Sequence, residues 1–154
     1  PKSDKLEEAS FLGAKCYTML SPEYSLDQTD TEKAINKLQS FIDTFPNSSY
    51  MPEANLSVKT LREKIEKKAY ENAYGYNKIA DYKSALIALD NFIIDYPGTP
   101  FKEKALYYRL DSAYQLAINS IPSKMEERLK FLTSFTPSIK KVINNQIITK
   151  ISIK

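Results

Sequence analysis

Histidine and tryptophan are both absent from the 154 residues. Without an imidazole, the commonest general base and the commonest transition-metal ligand are lost together. The single cysteine, Cys16, has no partner for an internal disulfide and excludes thiolate-rich zinc or iron–sulfur sites. The three glycines, Gly13, Gly75 and Gly98, stand apart, so neither GxGxxG nor GxxxxGK occurs and no phosphate-cradling loop is encoded. No stretch approaches the ~18 apolar residues that a membrane-spanning helix needs. Nor does a charged start lead into an apolar core of the kind that marks a secretory signal. Composition argues against an enzyme, and no catalytic, cofactor or metal residue is expected.

What is present is ordinary globular material, 42% hydrophobic and 27% charged. The net charge of +3, from 22 basic and 19 acidic residues, is mild and forms no basic stripe, so nucleic acid is not an expected partner. The opening Pro1-Lys2-Ser3-Asp4 lacks Met and leads into no apolar run, which is expected of a processed chain or, more readily, of a fragment.

An internal repeat organises the chain. Residues 34–56 laid over 85–107, an offset of 51, pair Ala34 with Ala85, Leu38 with Leu89, Phe41 with Phe92, Ile42 with Ile93, Pro46 with Pro97 and Ala54 with Ala105. Ile35/Leu86, Phe45/Tyr96, Ser48/Thr99 and Tyr50/Phe101 are close substitutions, making ten matches in 23 positions. A weaker third copy shows at Phe131, Phe135 and Pro137. The matched residues recur at three- and four-residue steps, the apolar stripe of an amphipathic helix. Pro46 and Pro97 should end these helices, because the residue before proline is driven out of the helical region. Ser48 or Ser49, and Thr99, are candidate N-caps of the helices that follow.

The expected elements are helices at about 4–20, 31–45, 51–78, 81–95, 101–119 and 123–135, with a polar loop at 21–30. The first helix would bury Leu6, Ala9, Leu12, Gly13, Cys16 and Leu20, making Cys16 a small core residue. The stretch 138–154 suits a helix by Ile139, Ile143 and Ile147, or a strand or loose tail by its β-branched residues. Counted back from Pro97, Ala73, Tyr76, Ala85 and Phe92 take the small, tyrosine, alanine and large apolar places of a tetratricopeptide repeat. A first unit ending at Pro46 fits if Leu12-Gly13 begins it and 21–30 is an insertion. The fold class is therefore all-α, a tetratricopeptide-like solenoid of antiparallel helix pairs in a right-handed superhelix. It forms a single helical-repeat domain over 1–154, with units at about 4–46, 51–97 and 101–137. A truncated array of this kind leaves apolar surface bare at its ends.

The run FPNSSY…LREK, then YNKIADYKSALIALDNFIIDYPGTPFKEKAL…SAYQLA, resembles the BamD family. These are the tetratricopeptide outer-membrane lipoproteins of the β-barrel assembly machinery. The insertion before the first proline-ended helix and LAINS followed by Glu126-Glu127-Arg128 are especially like Bacteroidetes-type members. The resemblance spans about residues 5–130 and corresponds to the C-terminal two-thirds of such a protein. It implies a scaffold lipid-anchored at the periplasmic face of the outer membrane. The implied partners are the periplasmic domains of the barrel-inserting subunit, other assembly lipoproteins and unfolded outer-membrane proteins. Membrane contact would come only through a lipid anchor that this stretch does not contain. Two other adaptors compete: a periplasmic one coordinating envelope constriction with cell-wall synthesis, and a cytosolic co-chaperone adaptor with a Lys/Arg clamp.

Four residues invite assignment to a partner-binding face. Tyr70 and Tyr74 fall roughly opposite Leu61 and Ile65 on the long helix, at ~100° per residue. They form either an exposed aromatic patch, where a partner would pack, or a second buried side between neighbouring repeats. Arg109 could grip a partner's carboxylate through two of its nitrogens, and Lys102 lies on the same helix, though both also suit a solvated face. The mixed charges Arg62 to Lys68 suggest local ion pairs. Glu7 and Glu8, the one early acidic pair, have nothing local to bury them.

Overall fold

Proline sets the helix ends. A computed structural model describes residues 4–134 as α1 (Asp4–Leu20), α2 (Thr29–Thr44), α3 (Met51–Lys78), α4 (Tyr82–Asp95), α5 (Lys102–Ile118) and α6 (Pro122–Ser134). Phe45 and Tyr96, each followed by proline, leave the helical region at φ −128°, ψ 62° and φ −125°, ψ 66°. Each still donates its backbone N–H to the carbonyl four residues back, Phe41 and Phe92 respectively. The all-α class is the one observed, with no strand among the described residues. The stretch 138–154, the third repeat's closing Pro137 and Phe135 lie outside them.

Packing divides the chain into two compact units that meet at Lys68 and Ala69, inside α3. In the first, Phe11 and Ala14 of α1, Ala34, Leu38 and Phe41 of α2, and Ala54, Val58 and Leu61 of α3 form one core. In the second, Tyr70, Ala73, Leu89, Phe92 and Ala105 form the other. The repeat extends to the rings. Phe11 stacks on Tyr50 at 4.6 Å and tilts against Phe41 at 5.4 Å. Tyr70 stacks on Phe101 at 5.4 Å and tilts against Phe92 at 5.8 Å. Tyr70 thus stands where Phe11 stands.

This equivalence corrects the register of α1. The small residue of the first unit is Ala14, 3% exposed like its counterpart Ala73 at 5%, and it follows Gly13 by one position. The face expected to be core is instead outside: Leu6, Ala9, Leu12, Gly13, Cys16 and Leu20 are all exposed. Cys16 is therefore a surface thiol and not a core residue. The sector of α1 that turns inward carries Glu7 beside Phe11 and Ala14, and the uncharged sector is the one left outside, so hydrophobicity alone pointed to the wrong face.

Two further expectations change. Ser48 and Thr99 do not cap the next helices; their hydroxyls accept from the backbone N–H two residues on, at Tyr50 and Phe101. Ser48 also donates to Glu7, which is half-buried and not simply solvated. The lysines of 62–68 serve the loop between α1 and α2 more than their neighbours. Lys64 Nζ donates to Ser21 Oγ at 2.7 Å and the Pro22 carbonyl at 3.0 Å, and Lys68 Nζ to the Leu26 carbonyl at 2.6 Å. Inside the loop, buried Gln28 donates to the carbonyls of Glu23 and Leu26. The long insertion is a built element.

The second unit makes the same α–α connection in three residues. Ala80 sits there at φ 61°, a left-handed conformation that costs a Cβ-bearing residue roughly 1–2 kcal/mol. Ala80→Gly relieves that cost and gives back part of it as unfolded-state entropy, so a gain of about 0.5–1 kcal/mol is expected. A higher midpoint in urea checks it. Asp81 next to it caps α4, accepting from Ser84 N–H at 3.2 Å. Hydrogen bonding from Ser84, its hydroxyl first and its N–H second, holds the Asp81 carboxyl below the ordinary value of 3.8. The folded-state pKa is depressed, so the contribution is present above pH 3.8 and is lost as pH falls through the lower folded value. Asp81→Asn, which still caps, should remove this acid sensitivity from the unfolding midpoint without a comparable loss near neutrality.

Candidate functional site

The four residues singled out from sequence all fall in the second unit, in different settings. Tyr70 is 4% exposed, held between Phe92 and Phe101. Its burial pushes the phenol well above its usual pKa. It belongs to the core and not to an exposed patch. Tyr74, one turn on, is half-buried: its ring lies 4.0 Å from that of Tyr108 and carries the Lys78 ammonium 4.4 Å from its centroid. The hydrogen bond with Tyr74 is the main cause, and burial the second, that pushes the Tyr108 phenol up to about 12.

Arg109 does make a two-point carboxylate contact, but with α4. Its Nε pairs with one Asp90 oxygen and its Nη2 donates to the other at 3.3 Å. The arginine side chain is 16% exposed and the aspartate 44%. Asp90→Ala leaves the guanidinium largely buried beside no carboxylate, and a loss of about 1–2 kcal/mol is expected once the exposed side of the pair is discounted. Thermal unfolding of Asp90→Ala beside the double variant Asp90→Ala/Arg109→Met checks it, since the double variant should recover most of the loss. Lys102 is exposed, its ammonium on the Pro97 carbonyl at 3.2 Å. Between these residues, Asn77 Nδ2 donates to both Asp111 Oδ2 and Ser112 Oγ at 3.0 Å, tying the end of α3 to α5.

The first unit holds a feature that the sequence did not single out. Ala9, Ser10, Gly13, Ala14 and Tyr17 of α1 face Lys37 and Ser40 of α2 across an open groove of about 280 Å³. A Cβ added at Gly13 would meet nothing within 4 Å. The signal lies in the sequence as a sector of α1 without charge, which by its apolar character reads as core. Among the described residues no group of acidic or cysteine side chains could hold a metal ion. No described helix is long and apolar enough to cross a membrane.

A family model described as an outer membrane lipoprotein, YfiO, matches residues 1–129. The chain belongs to the YfiO family. No curated protein matches it. For a YfiO-family chain the architecture is the tetratricopeptide-like helical repeat, and its helix pairs offer surfaces for other polypeptides. Helices 1 to 5 lie wholly inside the matched segment, and α6 extends past its end.

Proposed function

We propose that this YfiO-family chain is a BamD-type scaffold of the outer-membrane β-barrel assembly machinery. It works without catalysis, at the periplasmic face of the outer membrane, where a lipid anchor outside this stretch would hold it. The observation that carries this reading is the family match over 1–129, on a chain whose helices pack as repeated pairs. Such pairs are rigid before a partner arrives, so little ordering entropy is lost on docking. The partners we infer are the periplasmic domains of the barrel-inserting subunit, other assembly lipoproteins and unfolded outer-membrane proteins.

Of the four candidate residues, Lys102 offers an exposed cation and Tyr74 a partly covered ring, so the contact is proposed along the start of α5 and the last turns of α3. The test is capture from detergent-solubilised envelopes with the chain as bait. An outer-membrane barrel with tandem periplasmic domains should be enriched, and Lys102→Glu should reduce its recovery several-fold while leaving the helical signal unchanged. Enrichment of cell-wall synthesis proteins in its place would overturn the assembly role.

A further inference from the structure

α4 is apolar on two opposite sides. Leu89 and Phe92 turn inward, packing with Tyr70 and Ala73 of α3 and Ala105 of α5. On the other side of the helix Ile87 is 59% and Ile94 73% exposed. Both helices that share this core with α4 are described, so the outward position of these isoleucines follows from packing inside the unit and not from an end of the array.

A single exposed apolar residue means little, but the repeat supplies a comparison. At the offset of 51, α2 carries Glu32, Asn36 and Asp43 where α4 carries Lys83, Ile87 and Ile94, and all six are exposed. The same outer positions are polar on one helix and apolar on the other, so folding of a helix pair does not require isoleucine there. Lys83 is also out of place for its own helix. It stands in the first turn of α4, where the helix dipole disfavours a cation, and that turn has no acidic residue. Glu32, its counterpart, has the favourable sign. Lys83, Ile87, Asp90 and Ile94 follow one another at steps of four, three and four, which sets them along one line of the helix. Opposite charges therefore flank Ile87, and Asp90 keeps 44% of its side chain exposed beside Arg109. A line of this kind is complementary to itself when reversed.

We propose that this stripe pairs α4 with α4 of a second copy of the chain, antiparallel about a two-fold axis at Ile87. In that register Ile87 meets its own counterpart and Lys83 meets the partner's Asp90, twice. Ile94 reaches the connection that carries the partner's Ile79, which is 73% exposed. The contact is isologous, so it closes as a dimer. One pair of 14-residue helices is a small interface, and reversible association in the micromolar range is expected. The proposal does not depend on the assembly-machinery reading, and its failure would leave that reading standing.

Sedimentation equilibrium should show monomer and dimer and nothing larger. Ile87→Glu sets two carboxylates face to face on the axis and should weaken the dimer about 100-fold. Lys83→Glu makes both charge contacts repulsive, for a loss of about tenfold. Its new charge suits the first turn of its own helix, so the unfolding midpoint should not fall. Disulfide trapping in a Cys16→Ser background reads the register. Ile87→Cys should link to itself across the axis. Ile94→Cys should not, because it lies about 10 Å along the helix from the axis and about 20 Å from its counterpart. A chain that stays monomeric into the millimolar range overturns the proposal, as does a dimer that survives Ile87→Glu or links through Ile94→Cys. A lower unfolding midpoint for dilute Ile87→Glu would mean that another part of the chain covers the stripe, and overturns it too. So does binding to phosphatidylethanolamine–phosphatidylglycerol vesicles that Ile87→Glu abolishes in a chain that does not self-associate, which assigns the stripe to a lipid surface.

Discussion

Phe41→Ala is expected to destabilise the first unit by about 3–5 kcal/mol, the cost of removing a buried aromatic ring and leaving its cavity. Phe41 is 1% exposed and touches the rings of both Phe11 and Phe45. Its neighbours Leu38 and Ala34 are equally enclosed, at 1% and 0%, so little can collapse into the space. Domains of this size hold only about 5–15 kcal/mol in total, and such a loss is a large fraction of it. Denaturant unfolding followed by far-UV circular dichroism should show the midpoint falling sharply. Phe92→Ala should cost a similar amount in the second unit, because Phe92 meets Tyr70 and Tyr96 as Phe41 meets Phe11 and Phe45. A tenfold smaller effect at either ring would mean that the two clusters are not equivalent.

Tyr70 provides the second large effect, and its two substitutions distinguish a core ring from a docking ring. Tyr70→Ala is expected to lose about 3–5 kcal/mol. Tyr70→Phe should change stability by less than about 1 kcal/mol, since the hydroxyl contributes at most one ordinary hydrogen bond and phenylalanine already fills the same place at Phe11. If Tyr70 instead served a partner directly, alanine would leave the unfolding midpoint near its original value and act on binding alone. Unfolding midpoints of the two variants decide between these outcomes. Tyr74→Phe adds a control on the phenols: it removes the hydrogen bond that raises Tyr108, whose pKa should then fall from about 12 toward its ordinary value of 10. Raised phenol pKa values stabilise the fold below pH 10 and lose that contribution as pH climbs through the folded value. Alkaline titration of the tyrosine absorbance reads the shift.

The helices and their ends were readable from local rules. Phe45-Pro46 and Tyr96-Pro97 had to terminate α2 and α4, since a residue before proline cannot stay helical without a clash. The matched positions Ala34, Leu38 and Phe41, with Ala85, Leu89 and Phe92, were readable as core, since both copies kept the spacing of one helix face. The caps were not readable in the same way. Ser48 and Thr99 had the right chemistry, but they were turned to a local bond two residues on, a competing use of the same hydroxyl. Lys64 and Lys68 looked like members of a helix-surface charge ladder. The carbonyls they reach belong to a loop more than 40 residues earlier, beyond any local rule.

The candidate site was readable in kind more than in place. Arg109 was expected to grip a partner's carboxylate or to lie on a solvated face, and its contact is with Asp90, one helix back in the same unit. Tyr70 and Tyr74 were expected either to be an exposed patch or to be buried, and the packing of α4 and α5 buries Tyr70 and leaves Tyr74 half-covered.

By itself the sequence determined the helical class, the proline-set boundaries, the repeated ring positions and the absence of histidine. Each depends on side-chain type and spacing along one segment. Only the tertiary structure decided which sector of α1 turns inward, that Ala14 and not Gly13 takes the close-packed place, and that Cys16 is left outside. Those outcomes depend on what the neighbouring helix presents. Local hydrophobicity favours the uncharged sector of α1, but the ring of Phe11 fits between Phe41 and Tyr50, and Ser48 satisfies the Glu7 carboxylate that this face carries inward.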